Sequence, residues 1–122
     1  MNKKAQKQIS NLADLDNDYF IKKTGNKDFN KINVSEFVKN INTRNTSSRN
    51  ELMCQYAYVY DFYIKSNHNN YSLFLAKKLN YSENYIKNLT KELFEKKYLL
   101  KNTQGVPGGL FSKKTLKYFN SL

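Results

Sequence analysis

Between Ser82 and Lys97, the residues Asn84, Lys87, Asn88 and Lys91 recur at i, i+3, i+4 and i+7, with Tyr85 beside them. On a helix this spacing puts them on one face. An asparagine amide bonds adenine N6 and N7 together, and a lysine reaches guanine or phosphate. The major groove of DNA, about 12 Å wide, admits a helix carrying such a face. No acidic residue joins this face until Glu92 and Glu95 near its far end. An ordinary solvated helix, the competing reading, usually mixes signs for i,i+4 support. Other chemistries lack their residues. There is one histidine, His68, and one cysteine, Cys54. Neither a Ser/His/Asp set, nor paired acids, nor a phosphate-cradling glycine loop, nor metal-ligand spacing is present. The expectation is therefore a non-enzyme with no cofactor and no metal, its single thiol buried and inert.

The overall charge agrees with an anionic partner. The 122 residues include 21 Lys+Arg against 10 Asp+Glu, a net charge of +11, and the pI is about 9.7. Such a balance suits a polyanion. Only Arg44 and Arg49 are arginines. AT-rich codon usage accounts for Lys in place of Arg but not for a twofold basic excess. The two arginines read as linker charges, with a minor-groove arm as the sharper alternative. Hydrophobic residues at 39% and aromatics at 15%, with four Gly and one Pro, suffice for a single folded core. No stretch approaches the ~18 apolar residues of a membrane span. Met1 to Gln6 has no apolar run behind its lysines, so a cytoplasmic protein is expected.

These side chains need elements to hold them. Residues 1–48 read as an N-terminal helical extension and linker, and 49–122 as the main domain. In the extension, Ile9, Leu12 and Ala13 share a weak face. Val34, Phe37, Val38 and Ile41 mark a short helix, capped by Asn33 or Ser35. Asn42 to Ser48 is polar and reads as a linker. From Ser48 to about Ser66 runs a long helix with a stripe of Leu52, Tyr56, Val59 and Tyr63. Met53, Ala57, Tyr60 and Ile64 flank it, and Tyr58 and Phe62 fall outside both. A helix apolar nearly all round is buried or paired, so this one is expected to meet both the chain's own core and a second copy. Ser72 is placed as the cap of a helix with Phe74, Leu75, Ala76 and Leu79 inward and Lys77 and Lys78 wet. Asn80-Tyr81-Ser82 is a short turn. Ser82 caps the next helix, with Glu83 against its dipole and Ile86, Leu89, Leu93 and Phe94 inward. Residues 98–102 form a strand candidate, 103–109 a hairpin loop, 110–112 the return strand, and 113–122 a terminal helix.

This order resembles the winged helix-turn-helix regulators of bacteria, archaea and their plasmids and phages. The residues carrying the resemblance are Leu75-Ala76-Lys77-Lys78-Leu79, Tyr81-Ser82, then Ile86, Leu89, Thr90 and Leu93, and Lys97-Tyr98-Leu99. It covers about residues 72–112 and not 1–48. Asn80 and Lys97 stand where that family usually has glycine. Asn tolerates a left-handed backbone; Lys does so less readily, so the helix end is expected to differ. The resemblance implies a mainly α fold with a small β-hairpin, and double-stranded DNA as partner. Residues 82–97 would lie in the groove and 103–109 would form the wing. Asn84, Tyr85, Lys87, Asn88 and Lys91 would read bases. Lys77 and Lys78 would meet phosphates, Ser82 would join the DNA-binding set, and Lys101, Asn102 and Gln104 would act from the wing. The expected role is transcriptional repression by a homodimer, joined through the 52–64 helix and the terminal segments. Two rival readings remain: a plasmid partition (centromere-binding) or replication accessory protein, and a protein- or RNA-interaction module.

Overall fold

The computed structural model describes residues 33–67, 69–102 and 108–122. Residues 1–32, His68 and most of the hairpin loop, with the expectations for 1–32 and for Gln104, lie outside the described residues. The described chain is mainly helical. Five helices and two short strands follow in the order α1 (Val34–Asn42), α2 (Arg49–Asn67), α3 (Tyr71–Leu79), α4 (Glu83–Glu95), β1 (Leu99–Lys101), β2 (Gly109–Phe111) and α5 (Lys113–Asn120).

Helix α2 forms the axis of the core. Every residue from Leu52 to Asp61 is buried. The other helices and the hairpin surround it, so no polar stripe is left. Tyr58, which fits neither apolar stripe, is wholly enclosed. Its ring meets Phe37 of α1, Phe111 of β2 and Phe119 of α5 at centroid distances of 5.3, 6.1 and 5.6 Å. Each such pair contributes about 0.5–1.5 kcal/mol beyond the area it buries. On the other side of α2, Tyr60 packs edge-on against Tyr71 and Phe94. The Tyr56 hydroxyl shares a 2.7 Å hydrogen bond with Thr90 of α4. Burial pushes the Tyr60 phenol up to about 12 and the Cys54 thiol up to about 11.

This packing bears on two expectations. Val34, Phe37 and Ile41 belong to the same core cluster as residues 49–122, so α1 does not stand apart from the main domain. The surface expected to join two copies is consumed from Leu52 to Asp61 by the chain itself. Beyond Asp61, half-buried Phe62 and Tyr63 reach the outside, as does the polar first turn from Arg49 to Glu51.

Three helices end on a residue in the left-handed region: Arg44 (φ 61), Asn80 (φ 59) and Lys97 (φ 59). At each end the following N–H reaches back five residues: Asn45 to the Asn40 carbonyl, Tyr81 to Ala76 and Tyr98 to Leu93. Glycine is the usual residue at such ends, and this chain closes all three without one. Lys97 thus ends α4 in the usual geometry, contrary to the expectation drawn from its side chain.

The strands pair antiparallel, Leu99 with Phe111, Leu100 with Leu110 and Lys101 with Gly109. Leu99 and Phe111 face the core, whereas Leu100 and Leu110 face outward. Buried Asp61 anchors the return strand by accepting the Gly109 N–H at 2.9 Å. A Cβ on Gly108, whose φ is +88, would collide with Asp61 Oδ1, so glycine is required there.

Candidate nucleic-acid interface

Helices α3 and α4 flank the three-residue turn Asn80-Tyr81-Ser82. Leu75, Ala76 and Leu79 bury the inner side of α3. Ser82 caps α4, its hydroxyl accepting the Tyr85 N–H at 3.0 Å, and Ile86, Leu89, Thr90 and Leu93 bury the inner side of α4. Helix α3 starts at Tyr71, after Asn70, so Ser72 is not its cap. The Ser72 hydroxyl instead donates to the Glu83 carboxylate at 2.7 Å. That bond ties the start of α3 to the start of α4. The local cap rule misses it because the acceptor lies eleven residues away.

The outer side of α4 carries Asn84, Lys87, Asn88 and Lys91, all exposed. The burial of the opposite side fixes which way they point. Lys87 leans 3.8 Å from Glu83 in an exposed i,i+4 pair, worth only a few tenths of a kcal/mol. Lys91 makes no ion pair among the described residues. Of the two acids at the far end, Glu95 is exposed on this face, and Glu92 beside it is paired. The Arg49 guanidinium grips it through Nη2 at 2.6 Å and Nε at 3.2 Å, and Lys96 approaches at 3.6 Å. The Arg49 hydrogen bond holds the Glu92 carboxyl below the usual carboxylate range and raises Arg49 in turn.

The other expected contacts divide. Lys77 and Lys101 are exposed. Lys78 is half-buried, its ammonium 5.3 Å from the Tyr63 ring and 5.5 Å from the Phe74 ring. The Ser82 hydroxyl is occupied as a cap. Tyr85 is half-buried and stacks on Tyr81 with centroids 4.1 Å apart, so its ring serves the turn more than the outer face. Asn102 is half-buried.

Sequence reasoning missed the two arginines. Arg44 is a clamp: its Nη1 donates to the carbonyls of Asn42 at 2.9 Å and Leu79 at 3.2 Å, and its Nη2 to that of Asn80 at 2.5 Å. Its guanidinium carbon lies 3.5 Å from the Tyr81 ring centroid. One cation thus satisfies carbonyls at the ends of both α1 and α3, where the helix dipole favours positive charge. Arg44, Tyr81 and Tyr85 form one stack, and Arg49 reaches the Tyr85 hydroxyl at 3.4 Å. The usable signal was rarity: two arginines among 21 basic residues, each placed where a planar fork is bonded.

Among the described residues no cluster of three or more His, Cys, Asp or Glu is arranged to hold a metal, and no helix is long and apolar enough to cross a membrane. Comparison with protein-family models, curated proteins and solved structures finds no match.

Proposed function

We propose that the chain is a winged helix-turn-helix protein that binds double-stranded DNA at specific sites, as a transcriptional repressor. Helix α4 enters the major groove and the β1–β2 hairpin serves as the wing. One observation carries this reading. A capped helix presents Asn84, Lys87, Asn88 and Lys91 on a single exposed face while its opposite side is locked into the core. Two amides read adenine edges, and two ammoniums serve guanine or phosphate. Arg49 and Lys96 offset the charge of Glu92, so Glu95 is the exposed acid that remains at the far end of this face. Because a lone helix spans few base pairs, site-specific binding calls for two copies on two half-sites. Among the described residues, the outward Leu73, Leu100, Leu110 and Leu122, with half-buried Phe62 and Tyr63, offer apolar side chains for that contact.

The test is selection of binding sites from a random duplex library, followed by footprinting with Lys87→Ala and Asn88→Ala. The expected result is a discrete preferred site that both variants lose while keeping their helical circular dichroism. Unchanged site preference in both variants refutes the reading.

A further inference from the structure

Helix α5 carries Lys113, Lys114 and Lys117 and no acidic residue. The lysines sit where they cost stability. Two occupy the first turn, against the positive end of the helix dipole, which disfavours cations by about 0.3–1 kcal/mol each. Lys113 and Lys117 are an i,i+4 pair of like charge, a further penalty of about 0.2–0.5 kcal/mol. Helices α1, α2 and α4 instead place Glu36, Glu51 and Glu83 in their first turns. Lys114 has a structural task, since its ammonium donates to the Lys96 carbonyl and lies 3.9 Å from the Tyr98 ring centroid. Lys113 and Lys117 are exposed and make no ion pair among the described residues.

They border an open groove of about 530 Å³ lined with Leu116, Asn120 and Ser121. A second groove, of about 310 Å³, shares Lys117 and Ser121 and adds Lys114 and Asn50. Besides Leu116 and the Tyr118 ring, the described lining residues bring cations, amides and hydroxyls and no carboxylate side chain. Those are the groups that bond phosphate oxygens without reading sequence. The Lys114–Lys96 bond sets the start of α5 beside the end of α4.

We infer that the Lys113–Lys117 face of α5 is a second contact surface for the phosphate backbone of DNA. It lies outside the α4 face and is independent of base sequence. The inference rests on the DNA-binding reading for its ligand but not for its residues. Side chains at i and i+4 stand about 6 Å apart, while each strand carries one phosphate per ~3.4 Å of axis, so the pair spans two phosphates.

The experiment measures affinity against salt for the preferred duplex and for a duplex of scrambled sequence. It compares the unaltered protein with Lys113→Gln/Lys117→Gln and with Asn84→Ala/Asn88→Ala. Each neutralised phosphate contributes roughly 0.9 to the salt slope. Loss of two contacts therefore lowers the slope by roughly 1.8 on both duplexes. Between 50 and 200 mM salt, the unaltered protein then loses roughly twelvefold more affinity than the α5 variant. An unchanged slope in a folded α5 variant overturns the inference. A lowered slope on both duplexes, with no effect of the asparagine changes, upholds the inference and removes the sequence-specific reading of α4. Loss of site preference in the asparagine variant with an unaltered α5 slope does the reverse.

Discussion

Replacing the left-handed residues Lys97 and Arg44 by glycine has opposite consequences, although their φ angles are nearly equal at 59° and 61°. A side chain in this region costs roughly 1–2 kcal/mol. Glycine removes that cost but returns roughly 0.5–1 kcal/mol as lost unfolded-state restriction. The net relief is about 0.7 kcal/mol. Lys97 is exposed and makes no side-chain hydrogen bond or ion pair among the described residues, so Lys97→Gly keeps the whole gain. Arg44→Gly deletes the carbonyl clamp and the Tyr81 stack. In this exposed setting the hydrogen bonds are worth about 1 kcal/mol, the stack about 0.5 and the two helix ends about 0.5. Against a loss of about 2 kcal/mol, the same relief leaves Arg44→Gly about 1.3 kcal/mol less stable. Arg44→Ala, which keeps the backbone strain, loses the full ~2 kcal/mol. At roughly 4 °C per kcal/mol for a chain of this size, Tm rises by about 3 °C for Lys97→Gly. It falls by about 5 °C for Arg44→Gly and about 8 °C for Arg44→Ala. Urea unfolding with a common slope measures all three. If both glycine variants shift stability in the same direction, the clamp has no energetic role and the account of the α1–α3 junction is wrong.

Other perturbations test other parts of the structure. Gly108→Ala forces a Cβ onto Asp61 Oδ1 at φ +88 and should destabilise by about 2 kcal/mol or more. Asp61→Ala leaves the buried Gly109 N–H without its acceptor, a loss of about 1–3 kcal/mol, whereas Asp61→Asn retains an acceptor oxygen and loses less; calorimetry ranks the three. Cys54, buried with its thiol raised to about 11, should resist alkylation by iodoacetamide in the native protein at mildly alkaline pH and react on unfolding; native labelling at the unfolded rate refutes its burial. The lowered Glu92 carboxyl makes the Arg49–Glu92 contribution, at most about 1 kcal/mol for a half-exposed pair, complete above the ordinary carboxylate range. It disappears as pH falls through the lowered folded value. Glu92→Gln should therefore be less stable at neutral pH and converge with the unaltered protein in acid, as read by urea titration at each pH.

The legible parts of this fold are those whose partners are near in sequence or are simply apolar. Val34, Phe37 and Ile41 announce α1 by period alone, and Ser82 announces α4 because its acceptor role is satisfied three residues on. The outer face of α4 is legible for the same reason: once Ile86, Leu89 and Leu93 turn inward, geometry dictates which residues turn outward. Stripe reasoning failed at Tyr58 because it assumes a helix with one covered side, whereas α2 is covered on all sides and every position from Leu52 to Asp61 finds a neighbour. Ser72 was misread because a hydroxyl near a helix start has two possible partners, a local N–H or a distant carboxylate, and local pattern reveals only the first. The arginines were hidden more deeply. Arg44 bonds backbone carbonyls 35 and 36 residues away, and a carbonyl has no residue identity by which a sequence could advertise it. Arg49 finds Glu92 across 43 residues. Yet a chain whose codon bias favours lysine makes each arginine a departure that needs a cause, and lysine, a point donor on a flexible stem, cannot span two helix ends or grip both oxygens of a carboxylate. The rare residue type therefore marks forked geometry even where its partners are invisible. Here both marks fall around Tyr81 and Tyr85, at the turn that sets the direction of α4.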